Sequence, residues 1–386
     1  MASSQTNNVR LVSLIMQMGI CKKQRAIPFM LQGKPGVGKT YGVVAIAEQI
    51  AAVRKMKFPA EIWSGPQIQA EDASGLPVPD LETGTTRLLP MRIGASVLPA
   101  GAGVVCIDEF GSLTNTQEAA FLNFVHGGVL GEQKLPESIS RGAMMNPEDI
   151  ASNGRALSPP AANRFAWIPE WDLSAGDWCD YMRGGKGFAA HIQMLPDTWH
   201  EHLVWARSLV ASYIQRNTSQ LLNMPQAHQA NEAWASPRSW ENAAALLAAC
   251  RAVGDRPTND LSAAAIQSCV GIGSAEAFVG YLVDANLPDP EVMLADPTKA
   301  HLLFPERFDH QGITCESVAT AALEDHKDKV QRWNDAWVII GPVFMARNDV
   351  AIHAAKMLAA GMPSGAAYPK EAKLIREVLR QSGLAT

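Results

Sequence analysis

The sequence predicts an α/β fold in its first part and an all-helical fold in the remainder. Over roughly the first 170 residues, short apolar runs of strand length alternate with segments of helical spacing. This alternation is typical of a mainly parallel sheet with helices on both faces. After about residue 172 the strand pattern fades, and alanine-rich helical segments continue to the end. We therefore predict an α/β core over residues 1–172, a helical domain over 173–284 and a helical C-terminal region over 285–386.

Five apolar runs are predicted to form the strands of the sheet, namely residues 27–32, 61–63, 103–107, 141–145 and 165–168. Within the core, helical spacing of apolar residues predicts helices over 41–56 and 117–125. The helices predicted after the core are 200–216, 239–253, 261–271, 275–286, 318–333 and 350–360. Because ligands of a parallel sheet bind at the carboxyl ends of its strands, we expect the functional residues at that edge.

The composition is that of an ordinary globular protein, with 47% apolar and 18% charged residues. A net charge of −5 argues against a generally basic nucleic-acid-binding surface. The apolar run at 11–20 precedes its positive charges rather than following them, so it is interpreted as an amphipathic helix and not as a signal peptide. No run approaches the roughly 20 apolar residues that cross a bilayer. The six cysteines form no CxxC pair, so we expect reduced thiols and a cytoplasmic location.

The segment that follows the first predicted strand matches the phosphate-binding pattern GxxxxGK[ST]. Its glycines allow backbone N–H groups to point at phosphates, and the helix that follows adds its positive N-terminal dipole. Lys39 is expected to reach the β- and γ-phosphates, and Thr40 is expected to hold Mg²⁺ through its hydroxyl. The predicted nucleotide-binding residues are Gly33, Pro35, Gly36, Val37, Gly38, Lys39, Thr40 and Tyr41.

Two acids, Asp108 and Glu109, end the third predicted strand. Carboxylates at the end of a buried strand are costly unless they meet a cation or hydrogen-bond donors. Asp108 is predicted to hold the magnesium ion, and Glu109 is predicted to orient and deprotonate the attacking water. The alternative is a solvated strand end without a catalytic role.

Two further polar residues are candidate catalytic residues, and their sequence signals are less specific than those of the glycine loop and the acidic pair. Asn146 follows the fourth predicted strand and could position the attacking water, although asparagine at a strand end is also an ordinary turn residue. Arg164 precedes the fifth strand and could neutralise charge on the γ-phosphate of a neighbouring subunit. A lone arginine at this position is otherwise a surface residue.

Together these motifs resemble the MoxR family of AAA+ ATPases over roughly residues 25–255. The resemblance depends on GKPGVGKT, on the segment QAEDASG at 69–75, on the CIDEF strand end, on Met145-Asn146-Pro147-Glu148, on a downstream Asn-Arg-Phe and on Ser236-Pro237-Arg238. It implies that Asn146 is the sensor 1 residue, that Arg164 is the arginine finger and that Arg238 is the sensor 2 arginine on a lid helix, in contact with the nucleotide of its own subunit. The family usually has Asp-Arg-Phe where this chain has Asn163-Arg164-Phe165.

The resemblance also implies an activity and an assembly. The expected reaction is hydrolysis of ATP with Mg²⁺ in a homo-oligomeric ring, and the resemblance implies that the ring has six subunits. MoxR-like ATPases commonly act with a partner that contains a von Willebrand factor A domain, so remodelling or activation of a protein client is the predicted role. A nucleic-acid motor and a structural ring fixed by nucleotide binding are the alternatives.

Three other features are interpreted as structural. Residues 126–132 are rich in glycine and predict a hairpin, either a connector or a projection toward a partner. Trp333 and Trp337 lie four apart and are expected to pack in a core, with a partner-binding surface as the alternative. His200 and His202 are expected to begin a solvated helix rather than to bind a metal ion together, because residues two apart face different sides of a helix.

Overall fold

A computed structural model of the chain describes residues 4–21, 25–89, 96–150, 157–225, 232–285, 287–323 and 326–367, together with residues 370 and 373. The chain divides into two compact units, residues 1–200 with 219–276 and residues 201–218 with 277–386. These limits do not coincide with the sequence boundaries at 172 and 284, so the three-part division stays a prediction.

The described part of the first unit contains a five-stranded parallel sheet in the order β2-β5-β8-β1-β9 and two short antiparallel hairpins, β3-β4 and β6-β7. The strands are β1 (Phe29–Gln32), β2 (Ala60–Ser64), β3 (Leu76–Asp80), β4 (Thr85–Leu89), β5 (Gly103–Asp108), β6 (Val129–Leu130), β7 (Gln133–Lys134), β8 (Ile139–Met145) and β9 (Ala166–Ile168). Each of the five predicted runs overlaps one strand of the parallel sheet. The predicted α/β fold class, that of P-loop NTPases, is confirmed.

Burial explains why these runs form parallel strands. All seven residues of β8 are buried, and so are the first five residues of β5. Strands that are covered on both faces need a continuous apolar sequence rather than an alternating one. One face packs on the aromatic rings of Phe121 and Phe124, which belong to the same buried cluster as Val105 and Ile107. Because the strands are parallel, Gly33, Asp108 and Asn146 all emerge at one edge of the sheet.

The helices of the first unit are α1 (Ser4–Gln17), α2 (Lys39–Arg54), α3 (Ala70–Ser74), α4 (Val97–Ala100), α5 (Asn115–Gly127), α6 (Pro159–Ala162), α7 (Ala175–Met182), α9 (Pro237–Ala252) and α10 (Asp260–Val270). The predicted helices 41–56 and 117–125 correspond to α2 and α5. The hairpin predicted at 126–132 is shifted in the structure, because residues 126 and 127 end α5 and the hairpin β6-β7 spans 129–134. Glu132 connects it to the β3-β4 hairpin through hydrogen bonds with the backbone of Leu88.

The N-terminal helix α1 is buried on its polar side as well as on its apolar side. Gln17 is 1% exposed, and its amide donates to the carbonyl oxygens of Ser13 and Gln193. The Ser13 hydroxyl accepts the backbone N–H of Gln193 in turn. The predicted amphipathic helix is therefore present, and hydrogen bonds to the 193–195 segment cover its polar face.

The second unit is helical and has its own core. Its helices are α8 (Leu203–Arg216), α12 (Pro290–Ala295), α13 (Phe308–Leu323), α14 (Lys329–Ala346) and α15 (Asn348–Ala360), and α11 (Ile272–Ala285) begins in the first unit and continues into the second. The rings of Trp333 and Trp337 lie 5.9 Å apart at 83° in this core, where each is at most 1% exposed. The core-packing interpretation of both residues is confirmed.

One predicted helix of the second unit is wrong. The helix predicted over 318–333 is interrupted, because α13 ends at Leu323 and α14 begins at Lys329. Residues 324–329 are all charged or histidine, so they offer no apolar face to pack, and residues 324–325 lie outside the described part.

Among the helices of the described residues, none is long and apolar enough to cross a membrane.

Candidate nucleotide site

The loop between β1 and α2, residues 33–40, has the backbone of a phosphate-binding loop. Gly36 and Gly38 both adopt a φ of 81°, in the left-handed region that glycine tolerates and other residues resist. No heavy atom lies within 4 Å of where a Cβ would stand on either glycine. The loop therefore leaves open space beside its backbone, at the N-terminus of a 16-residue helix, where the helix dipole favours an anion.

The side chain of Lys39 lies inside this loop and is held by three oxygens. Its Nζ donates to the carbonyl oxygens of Gly33 and Lys34 at 2.7 and 2.9 Å, and to Oδ1 of Asn146 at 2.9 Å. Burial lowers the pKa of Lys39, and the nearby Asp108 opposes that shift. The contact brings Asn146, at the end of β8, to the predicted phosphate position, although the two residues are 107 positions apart.

The two predicted magnesium ligands touch each other. Thr40 Oγ1 donates to Oδ2 of Asp108 at 2.9 Å, and the other oxygen, Oδ1, accepts the backbone N–H of Glu109 at 2.9 Å. A hydroxyl and a carboxylate are the hard oxygen donors that Mg²⁺ takes at nucleotide sites. The donor set therefore fits this ion.

Glu109 has an unusual backbone, with φ 55° and ψ 39° in the left-handed region. A non-glycine residue there is uncommon and stores strain, which is typical of functional positions. Gly65, just after β2, accommodates this turn. A Cβ on Gly65 would lie 2.8 Å from the carbonyl oxygens of both Asp108 and Glu109. The sequence motif did not include Gly65, because its role depends on the pairing of β2 with β5.

An aromatic pocket lies beside the phosphate-binding loop. It is a cavity of about 190 Å³ that Gly36 and Gly38 also line. Tyr41 contacts Tyr181 and Phe188 with ring centroids 5.4 and 5.6 Å apart. The other aromatic rings of the pocket belong to Trp171 and Trp178. Of these aromatic residues only Tyr41 was predicted. The sequence signal for the others was the density of aromatic residues between 171 and 188.

A second group of polar residues lies at the opposite, amino edge of the sheet. We call it the basic cluster; its members are Arg25, His126, Arg141, Arg164 and Arg238. Arg25 and Arg164 precede β1 and β9, whereas the phosphate-binding loop follows β1. The charges of Arg164 and Arg25 act on Arg238, so these three arginines lie near one another. Contact between Arg238 and the nucleotide of its own subunit stays a prediction.

Asn163 explains how Arg164 and Arg238 come together. Its buried amide donates to the carbonyl oxygen of Trp234 at 3.0 Å, and its Oδ1 accepts the hydroxyl of Ser236 at 2.9 Å. Ser236 is the N-cap of α9, so these bonds fix the start of the helix that carries Arg238. An aspartate could accept from Ser236 but could not donate to Trp234 when ionised.

The electrostatics of the basic cluster are dominated by positive charge. Burial, and then the charges of Arg25, Arg238, Arg164 and Arg141, lower the pKa of His126 to about 4. Burial, and then Arg164 and Arg25, likewise lower the pKa of Arg238. The sequence placed neither Arg25 nor His126 at a site, because no local motif contains them.

Comparisons with known proteins give a match at the level of structure alone. No protein-family model matches the chain, and no curated protein matches it. A crystal structure of a presumptive ATPase from Cytophaga hutchinsonii is similar, with 16% identity and a TM-score of 0.36, over 64% of this chain and 78% of that one. A full-length MCM homologue from Methanopyrus kandleri is similar with 12% identity and a TM-score of 0.34, over 73% of this chain and 58% of that one. At these sequence identities and TM-scores neither match supports a conclusion about activity, so any such conclusion depends on the geometry of the site.

We predict that Gly65→Ala lowers both stability and any nucleotide hydrolysis, because the new Cβ meets two backbone carbonyls that cannot move freely. The loss of hydrolysis should be at least about tenfold, as expected when a strained catalytic turn is displaced. Gly273→Ala is the matched control, since no atom lies within 4 Å of its Cβ position. Equal activity of Gly65→Ala and the unaltered protein, measured as phosphate release, would contradict the role of this contact.

We also predict that His126 makes stability depend on pH. Between the ordinary value of 6.5 and about 4, unfolded His126 binds a proton and folded His126 does not, so the free energy of unfolding falls as the pH falls through this window. His126→Asn cannot titrate and should lose less stability over the same window. Urea unfolding of both proteins at several pH values measures how the free energy of unfolding depends on pH. The same pH dependence in both proteins would contradict this role of His126.

Proposed function

We propose that this chain is an ATP hydrolase of the AAA+ type, similar to MoxR ATPases. The observation that carries the proposal is the joint geometry of Lys39, Asn146, Thr40 and Asp108. The buried ammonium group of Lys39 lies 2.9 Å from the amide oxygen of Asn146, and the hydroxyl of Thr40 lies 2.9 Å from the carboxylate of Asp108. These groups come from the ends of three separate strands. Phosphoryl transfer depends on such positioned charges more than on covalent chemistry.

Each residue has a distinct role in this proposal. Lys39 and the backbone N–H groups of residues 33–40 bind the phosphates. Thr40 and Asp108 hold Mg²⁺, which neutralises phosphate charge when bound. Glu109 orients the attacking water and accepts its proton, and Asn146 helps to position that water beside the γ-phosphate.

The aromatic pocket supports a purine base as the group next to the phosphates. Aromatic rings offer stacking surfaces, and a cavity of about 190 Å³ lies directly against Gly36 and Gly38. The sequence contains no Asn-Lys-x-Asp motif of the kind that reads guanine. ATP is therefore the proposed nucleotide.

The positions of Arg164 and Arg238 support an oligomer. Both belong to the amino edge of the sheet, whereas Lys39 and Glu109 belong to the carboxyl edge, so one copy alone does not bring these arginines to its own phosphates. We propose that they act on the nucleotide of a neighbouring copy in a ring. Six subunits and a protein client or von Willebrand factor A domain partner follow from the MoxR resemblance only. A cytoplasmic location follows only from the cysteine pattern of the sequence.

The experiment compares Lys39→Ala and Glu109→Gln with the unaltered protein. Lys39→Ala should lose nucleotide binding and at least about a hundredfold of hydrolysis, because the phosphate charge is left without its buried cation. Glu109→Gln should keep nucleotide binding and lose hydrolysis. Binding is measured by calorimetry and hydrolysis by phosphate release.

Lys57→Ala is the control, since Lys57 is exposed and lies outside the site. Undiminished hydrolysis by Lys39→Ala would overturn the proposal. A Glu109→Gln protein that assembles and supports its biological role without turnover would favour a structural ring instead.

A further inference from the structure

The basic cluster contains more cationic groups than the proposed function uses. Arg25 Nη2 lies 3.4 Å from Nδ1 of His126. Because a guanidinium group can only donate, Nδ1 of His126 must be the unprotonated acceptor. The low pKa of His126, about 4, keeps that nitrogen unprotonated at neutral pH. The neutral ring therefore holds the exposed Arg25 side chain at the edge of the cluster.

The positive charge of the cluster is not balanced by nearby acids. Among the described residues, no carboxylate forms an ion pair with Arg25, Arg164 or Arg238. Glu137 lies 3.4 Å from Arg141 Nη2 and also accepts the backbone N–H of Ala26. In the described part of the chain, the cluster's ion pair is thus that of Glu137 with Arg141, the most buried of its arginines.

Two further details make an anion favourable at this place. Arg238 is the second residue of α9, where the helix dipole is positive and a cation is disfavoured. Arg141 is 1% exposed, and within the described structure its Nε and Nη1 have no acceptor. Negative charge bound at the surface would offset the cost at Arg238 directly, whereas the buried Arg141 adds to the positive potential of the cluster from beneath the surface.

The opposite edge of the same unit is acidic. A cavity of about 960 Å³ at the carboxyl edge is lined by Glu148, Asp149, Glu170 and Glu232. Pro147, the neighbour of Asn146, also lines this cavity, which therefore reaches the edge of the sheet where the γ-phosphate is predicted to lie. A basic surface at one edge and an acidic one at the other favour head-to-tail contact between copies. That contact brings the basic cluster of one copy to the phosphate-binding loop of the next.

We propose that Arg25, oriented by His126, is a third guanidinium group that acts together with Arg164 and Arg238 on the triphosphate bound by a second copy of this chain. This inference rests on the proposed function. Arg25 contacts the phosphates directly, and His126 is a positioning residue that acts through Arg25.

The first test is steady-state hydrolysis by Arg25→Gln, which keeps an amide donor but loses the charge. Its kcat/KM should fall at least about tenfold, the size of one charge-assisted contact to phosphate. Arg25→Lys should lose less, because it keeps the charge without the planar fork. His126→Leu should resemble Arg25→Gln, whereas His126→Asn keeps an acceptor in the position of Nδ1 and should recover most of the activity. Arg256→Ala, at an exposed arginine outside the cluster, is the control.

The second test mixes Arg25→Gln with Lys39→Ala. In mixed assemblies, some intact phosphate-binding loops face an intact Arg25 of the neighbouring copy, so hydrolysis should exceed the sum of the two separate rates. If Arg25→Gln has a lower unfolding temperature than the unaltered protein, Arg25→Lys takes its place in the mixture. Full activity of Arg25→Gln, or a mixture that equals the sum, overturns the inference. Undiminished hydrolysis by Lys39→Ala alone signals failure of the proposed function instead.

Discussion

The site depends on one interaction, the capture of the Lys39 ammonium group by two loop carbonyls and the amide oxygen of Asn146. An ammonium group taken out of water is expensive unless its protons find acceptors. Satisfying it fixes the path of the glycine loop, the start of α2 and the end of β8 at the same time. The start of α2 then sets the direction of the next side chain, that of Thr40, whose hydroxyl donates to Asp108. The arrangement of the whole carboxyl edge follows from a single buried charge.

The sequence was sufficient for those parts of the site that are formed by contiguous segments. A glycine loop between an apolar strand and a helix, and two acids at a strand end, have local physical signatures, and the residues concerned meet in the structure. Asn146 was ambiguous from spacing alone, and only its contact with Lys39 distinguishes it from an ordinary turn residue. The helix break at 326–328 was missed because the continuous helical pattern concealed a run without an apolar face.

The rest depends on contacts between distant segments. The aromatic pocket combines Tyr41 on α2 with rings from residues 171–188, and no local spacing connects them. The grouping of Arg164 with Arg238 depends on a hydrogen bond between Asn163 and Ser236, which are 73 positions apart. This contact also accounts for the asparagine that replaces aspartate in the Asp-Arg-Phe pattern. The amide of Asn163 accepts from the hydroxyl of Ser236 and donates to the carbonyl oxygen of Trp234, whereas an ionised carboxylate could only accept.

The close packing of Gly65 has a mechanical consequence. β2 is an outer strand of the described sheet, so one of its sides has no neighbouring strand to hold it. Gly65, the residue directly after that strand, lies so close to the main chain of residues 108 and 109 that a Cβ there would be 2.8 Å from both of their carbonyl oxygens. A displacement of the end of β2 therefore moves the backbone of Glu109 through contacts between main-chain atoms. The position of an outer strand is thereby coupled to the place from which the Glu109 side chain starts.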